Sequence, residues 1–138
     1  MSRSNNLIIG ISHVGLSVCS LDASFKFFET LGYKKIGGVD TYPSIFLHDG
    51  ASMLTLWQTD ADATPFNRRK NVGLHHLALK VPSLEALNQA FETVSKLEGV
   101  RVDGEGAFKP QQLEGTPLTH AIVYEPSGNR IELTFHEE

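Results

Sequence analysis

The sequence predicts an α+β fold built from two tandem copies of a βαβββ module, and two alignments of the chain with itself support this. Residues 12–30, SHVGLSVCSLDASFKFFET, align with residues 75–93 at a constant offset of 63, with nine identities over nineteen positions. Residues 46–56 align with residues 123–133 at an offset of 77. Internal similarity over such lengths indicates two equivalent supersecondary units. The extra residues of the second copy are expected between its helix and its last hairpin.

Each module is predicted to open with a strand and a helix. Period-two alternation of apolar residues predicts strands over 8–18 and 73–81. Ser20 and Ser83 each precede an acidic residue and an apolar pattern with helical spacing, which is typical of a helix N-cap. Gly32 and Gly99 are predicted to end the two helices.

Three further strands complete each module. They are predicted at 34–38, 43–48 and 52–58 in the first copy, and at 100–104, 117–124 and 129–135 in the second. The connections HDGAS and EPSGN carry the residue types of tight hairpin turns.

Size and composition favour one globular domain over residues 1–138, with the first module at about 8–58 and the second at about 73–136. The net charge is −4 and the twelve lysines and arginines are scattered, so neither a nucleic-acid nor a membrane partner is expected. A single cysteine, Cys19, excludes an internal disulfide and fits a reducing cytoplasm. No apolar run has the length of a signal-peptide core or a membrane span, so we expect a soluble cytoplasmic protein.

Strand alternation also predicts which residues share a face. Val14, Leu16 and Val18 form the face that a helix would cover, so the residues between them point the other way. The repeat then yields four equivalent inward positions, which are His13, Thr55, His76 and Glu132. Two imidazoles and one carboxylate on one face leave open positions on an octahedral metal and suit Fe, Mn, Ni, Co or Zn as the divalent ion. His75, by its parity, is expected on the covered face in a structural or capping role.

The strand-opening His13 and His76, together with the ending YEPSGNRIEL, resemble the vicinal oxygen chelate superfamily. This superfamily includes glyoxalase I, extradiol dioxygenases, fosfomycin-resistance transferases and bleomycin-resistance proteins. The resemblance runs from Ile9 to Phe135. It implies a curved, half-open barrel of mixed β-sheet with the helices on its outer face, and metal ligands at His13, His76 and Glu132. It also implies a homodimer, in which each site is built from one chain or from both.

The sequence departs from the pattern of each of three subfamilies. Glyoxalase I relatives carry a second glutamate where this chain has Thr55, extradiol dioxygenases carry a tyrosine near Ile122, and fosfomycin transferases carry a threonine at Gly15. We therefore expect a metal-dependent, glyoxalase-like lyase or isomerase that acts on a small molecule with vicinal oxygens. The alternatives are an Fe(II) extradiol-type dioxygenase and a non-catalytic ligand-binding or resistance protein of the same fold.

Further residues are candidates for the same site. Glu132 and His120 are the catalytic candidates, because His120 is predicted to share an inward face with Ile122 and Tyr124. The substrate pocket is predicted to include Thr55, Trp57, Ile122 and Tyr124. His48 and His136 are expected to be solvated. The loop 58–73 carries Arg68, Arg69 and Lys70, which form either a solvated face or a cover over an anionic ligand.

Overall fold

The computed structural model describes residues 5–137, which contain eight strands and two helices. Module 1 comprises β1 (Val14–Val18), α1 (Leu21–Thr30), β2 (Lys34–Gly37), β3 (Ser44–His48) and β4 (Met53–Gln58). Module 2 comprises β5 (Leu77–Lys80), α2 (Leu84–Ser95), β6 (Phe108–Gln112), β7 (Leu118–Tyr124) and β8 (Arg130–His136). The predicted α+β fold with two βαβββ modules is confirmed.

Each module forms its own four-stranded mixed sheet. The strand orders are β1-β4-β3-β2 and β5-β8-β7-β6, so the first strand of each module pairs in parallel with its last strand. The other pairings are antiparallel. The two sheets do not close into a barrel, in agreement with the predicted half-open arrangement.

The helices start where the sequence predicts. The hydroxyl of Ser20 accepts a hydrogen bond from the Ala23 amide at 3.2 Å, and that of Ser83 accepts one from the Ala86 amide at 3.0 Å. Gly32 follows α1 with a φ of 113°, which a residue with a side chain rarely adopts. The prediction that Gly99 ends α2 is wrong. That helix ends at Ser95, and Gly99 lies in a separate turn.

The helices cover one face of the two sheets, and a single apolar cluster joins the modules there. Leu16, Phe28 and Leu56 of module 1 belong to the same buried cluster as Val123 and Ile131 of module 2. We call the opposite face of each sheet, which points away from the helices, the inner face.

The predicted strand at 100–104 is wrong. Arg101 forms one isolated bridge with Tyr124, and the regular strand β6 resumes only at Phe108. Between them the chain leaves the sheet in a loop where Gly104 and Gly106 adopt positive φ values of 72° and 84°. This loop contains some of the extra residues expected between α2 and the last hairpin.

The offset between the modules changes at the hairpin turn. Thr55 and Glu132 are equivalent at the predicted offset of 77, but their partners on the neighbouring strand, Phe46 and Ile122, are equivalent at 76. The turn of module 2 contains one more residue than the turn of module 1. The sequence alignment that makes Phe46 equivalent to Val123 is therefore wrong by one position on this strand.

The first strand of each module starts later than predicted, at Val14 and at Leu77. Their parallel partners begin at Met53 and Arg130, so earlier residues have little to pair with. His75 therefore does not follow the strand alternation, and it is exposed rather than on the covered face. Within residues 5–137 no helix has the length and apolar character needed to cross a bilayer.

A candidate site on the inner face of module 2

The inner face of module 2 holds a buried carboxylate between two imidazoles. Glu132 lies in the middle of β8, opposite Ile122 on β7 and beside Ala78 on β5, and it is 8% exposed. Its Oε1 is 3.1 Å from His76 Nε2, and its Oε2 is 2.8 Å from His120 Nδ1. The predicted residues His76, His120 and Glu132 are thus brought together.

The strand register explains why His120 reaches Glu132. His120 pairs with Thr134, so it shares the inner face with Ile122 and Tyr124, as the alternation predicts. The ring of Phe108 on β6 packs edge-on against His120, with ring centroids 4.9 Å apart. Because a phenylalanine ring and buried strands surround it, the His120 side chain is only 12% exposed.

The negative charge of Glu132 has no lysine or arginine beside it within the described residues. Within the described residues, both ion-pair contacts of Glu132 are to histidines, which are charged only when protonated. Thr134 Oγ1, on the same face of β8, is buried and has no hydrogen-bond partner among these residues. A buried carboxylate needs a compensating charge, and either a protonated imidazole or a divalent cation supplies one.

Two of the other predicted site residues, Thr55 and Trp57, lie on the inner face of module 1. Thr55 pairs with Gly15 and is buried, and its Oγ1 accepts a hydrogen bond from Trp57 Nε1 at 2.8 Å. Tyr42 and Phe46 pack against Trp57, with ring centroids 5.0 and 5.5 Å from it. This face therefore presents an aromatic wall.

His13 precedes β1, is exposed, and lies 3.0 Å from the hydroxyl of Ser12 through its Nδ1. Among the contacts of residues 5–137, none joins His13 to His76 or Glu132. Over the same range, no three histidine, cysteine or acidic side chains form a metal-binding group. One chain by itself therefore assembles only two of the three predicted ligands.

A pocket rich in arginine adjoins His76. It has a volume of about 50 Å³. The Tyr124 hydroxyl donates to the Glu105 carbonyl at 2.6 Å and accepts from Arg68 Nη1 at 3.2 Å. The guanidinium of Arg101 lies 4.4 Å from the centre of the Tyr124 ring. Arg130, at the start of β8, donates to the Gly106 carbonyl at 2.9 Å.

Our sequence reasoning missed Arg130 and Arg101. The alternation along β8 contains the signal for Arg130, because it lies two residues before Glu132 and shares its face. Arg101 carries no such signal, since the pairing that places it beside Tyr124 is an isolated bridge outside any regular strand.

His75 lies at the edge of this pocket. Its Nδ1 is 2.7 Å from His76 Nδ1, and the two rings meet at an interplanar angle of 75°. Partial desolvation lowers the pKa of His75 below its ordinary value, and the positive charge of Arg130 and the neighbouring His76 and Arg68 lower it further. Neutral imidazole is therefore favoured at this edge.

The remaining histidines lie away from the carboxylate. His48 ends β3, where its Nδ1 accepts a hydrogen bond from the Gly50 amide at 2.8 Å. It is half-buried at a turn rather than fully solvated. His136 ends β8 and is exposed, as predicted.

A family model described as the Glyoxalase/Bleomycin resistance protein/Dioxygenase superfamily matches residues 10–133. The chain belongs to this superfamily. The match covers both modules, including the strand-opening histidines and the hairpin before Glu132. The resemblance to vicinal oxygen chelate proteins is thereby confirmed, while no curated protein matches the chain.

Solved structures of the superfamily share the fold along nearly the whole chain. A glyoxylase/bleomycin resistance protein/dioxygenase domain from Frankia sp. EAN1pec is 24% identical, with a TM-score of 0.77, and the match covers 95% of this chain and 94% of that one. The fosfomycin resistance protein FosX from Mesorhizobium loti is 19% identical, with a TM-score of 0.67 and coverages of 94% and 93%.

A mutant of FosX from Listeria monocytogenes, complexed with Mn(II) and 1S,2S-dihydroxypropylphosphonic acid, is 18% identical to this chain. Its TM-score is 0.68, and the match covers 92% of this chain and 90% of that one. At identities below 25%, the likeness to these structures shows a shared fold and no more.

Proposed function

We propose that the protein is a metal-dependent enzyme of the glyoxalase-like lyase or isomerase type, acting on a small molecule with vicinal oxygens. The observation that carries this proposal is the buried Glu132 carboxylate with an imidazole nitrogen on each side, at 3.1 and 2.8 Å. A carboxylate and imidazoles are the ligands that divalent Mn, Fe, Co, Ni and Zn accept. In this proposal His76 and Glu132 hold the metal, and the third ligand is His13.

A second copy of the chain is the proposed source of His13. The residues just before His13 support this, because the side chains of Leu7, Ile8 and Ile11 are 102%, 76% and 86% exposed. An apolar segment of this kind marks an interaction surface when it stays uncovered. Burying it in a homodimer places His13 at the interface, where it can complete the partner's pair of ligands.

The FosX complex adds support for the metal and for the substrate class. That protein was crystallised with Mn(II) and a phosphonic acid that carries hydroxyl groups on adjacent carbons. We extend only the chemistry to this chain, as a divalent metal and a substrate that presents two neighbouring oxygens.

A divalent metal bound at this site supplies Lewis acidity toward the substrate oxygens. The chain itself provides the proton chemistry. His120 is proposed as the acid–base group, and the Oε2 of Glu132 orients its ring and stabilises the imidazolium that forms. Phe108 packs against His120 and limits access of water to this pair.

Elemental analysis after preparation with added Mn(II), Fe(II) or Zn(II) tests the proposal. Wild type is expected to carry one metal per chain, and His76→Ala to carry less than about a tenth of that. His75→Ala is the matched control, since it removes the neighbouring imidazole, which we do not assign as a ligand, and should retain the metal. A wild type without stoichiometric metal would refute the proposal.

The aromatic wall of Tyr42, Phe46 and Trp57 favours a second candidate, a non-catalytic ligand-binding protein of the same fold. Such a protein would bind planar ligands and quench Trp57 fluorescence without any dependence on metal. The Fe(II) extradiol-type dioxygenase is separated from the lyase by incubating the iron-loaded protein with a catechol under air. A yellow ring-cleavage product would favour the dioxygenase.

A further inference from the structure

Three arginines converge on the pocket beside His76, whose lining also includes one acidic residue, Glu105. Arg68 belongs to the loop between the modules, Arg101 follows α2, and Arg130 begins β8. Within residues 5–137, none of the three takes part in an ion pair. Segments distant in sequence thus bring like charges together, which is unfavourable unless an anion compensates them.

The guanidinium groups of Arg68 and Arg130 both lie next to Gly106. A Cβ atom added to Gly106 would be 2.6 Å from Arg68 Nη2 and 3.2 Å from Arg130 Nη2. Main-chain carbonyls of Glu105 and Gly106 accept one hydrogen bond from each guanidinium, at 3.2 and 2.9 Å. These carbonyls hold the two cations in position and do not neutralise them.

Arg130 has a donor that nothing in the described chain satisfies. Its Nε is buried and has no hydrogen-bond partner. A buried N–H of a charged group is costly when left unpaired, so a ligand oxygen at this position would stabilise the protein.

We propose that the pocket formed by Arg68, Arg130 and Tyr124 binds an oxyanion group of the substrate, either a carboxylate or a phosphoryl group. This inference rests on the proposed function, since it assigns the opposite end of the same substrate. A volume of about 50 Å³ provides room for a small anionic head group.

The position of the pocket sets the shape of the substrate. Arg130 and Glu132 lie on the same face of β8, two residues and therefore about 7 Å apart along the strand. His76 lines the pocket and also contacts Glu132. The substrate class is therefore a small oxyacid whose anionic group lies a few bonds from its vicinal oxygens.

Binding of inorganic phosphate, measured by calorimetry at low ionic strength on the full chain treated with a chelator, tests the pocket. Arg68→Gln and Arg130→Gln are each expected to weaken binding by about tenfold or more. Arg69→Gln, which removes the same charge from an exposed neighbour in the same loop, should change it by less than about twofold. Acetate, titrated in parallel, distinguishes a carboxylate site from a phosphoryl site.

Circular dichroism establishes that each variant is folded, and Arg68→Gln keeps the test decisive if Arg130→Gln destabilises the protein. Absence of saturable binding of either anion, or an equal loss in Arg69→Gln, would overturn the proposal. Binding that requires added Mn(II) and survives Arg68→Gln would also overturn it. Phosphate binding by a protein that takes up no metal would support the pocket while refuting the metal site.

Discussion

Glu125 is expected to be the most important single polar contact between the two modules. It is 1% exposed and lies in the turn between β7 and β8, where its carboxylate accepts a hydrogen bond from the Ser24 hydroxyl of α1. It also accepts bonds from the Ser127 amide at 3.0 Å, the Asn129 amide at 2.9 Å and Asn129 Nδ2 at 3.0 Å. Replacing Glu125 by Gln removes the charge and keeps the shape.

The magnitude follows from these four donors. The glutamine oxygen can still accept from the three turn donors, and its NH₂ can donate to Ser24 Oγ, so no group is left unpaired. The change converts charge-assisted bonds to neutral ones, and part of that loss is offset because a buried charge disappears. We expect Glu125→Gln to lower the free energy of unfolding by about 2 kcal/mol. Glu125→Ala, which leaves the Ser127 and Asn129 backbone amides unpaired, should lower it by about 4 kcal/mol or more.

Urea denaturation followed by Trp57 fluorescence measures the effect, and a loss of 2 kcal/mol shifts the midpoint by about 1 M. Glu98→Gln, an exposed glutamate with the same charge change, is the control and should shift it little. Ser24→Ala combined with Glu125→Ala in a double-mutant cycle measures the coupling between the two modules through this bond. Equal midpoints for Glu125→Gln and Glu98→Gln would show that this contact does not stabilise the protein.

Three further predictions test other parts of the structure. If His13 comes from the partner, refolding a mixture of His13→Ala and Glu132→Gln should restore about a quarter of the wild-type metal sites, because half of the dimers are mixed and each mixed dimer has one intact site. Metal analysis of the mixture would show none if each site lay within one chain. Burial raises the pKa of Asp49, but hydrogen bonds from the Ser52 and Ala51 amides outweigh burial and leave that pKa below 3.8. Asp49→Asn should therefore lower the free energy of unfolding above pH 3.8. Denaturation curves of wild type and variant should converge as the pH falls below the pKa of folded Asp49. Leu56→Ala, fully buried, should lower the free energy of unfolding by about 2–5 kcal/mol, whereas the exposed Ile36→Ala should change it by less than about 0.5 kcal/mol in the same urea assay.

Most of the fold could be predicted from the repeat because the same local sequence signals occur in both modules. The caps Ser20 and Ser83 and the buried alternation of Leu16 and Val18 depend only on residues near in sequence. The prediction of a strand at 100–104 is wrong because the limits of this strand depend on pairing with β7. The loop that contains Gly104 and Gly106 separates the chain from β7 until Phe108, and hydrophobic alternation does not reveal such a loop.

The site was predicted in part for the same reason. Alternation brought His76, His120 and Glu132 to one face, since each lies on or next to a regular strand. It does not determine how two sheets approach each other, so it could not show that His13 lies apart from them. The approach of Arg68 to Arg130 depends on a loop conformation, which no period describes.

Comparison of equivalent positions shows that the candidate site residues are concentrated in module 2. The structural counterparts of Glu132, His120 and Arg130 in module 1 are Thr55, Ser44 and Met53. Trp57 already satisfies the Thr55 hydroxyl, and module 1 has no carboxylate at the position equivalent to Glu132. The two strand-opening histidines are retained, but only one of them faces a carboxylate on its own sheet. If the proposed metal site forms, we expect one metal per chain rather than two, because module 1 has no carboxylate equivalent to Glu132.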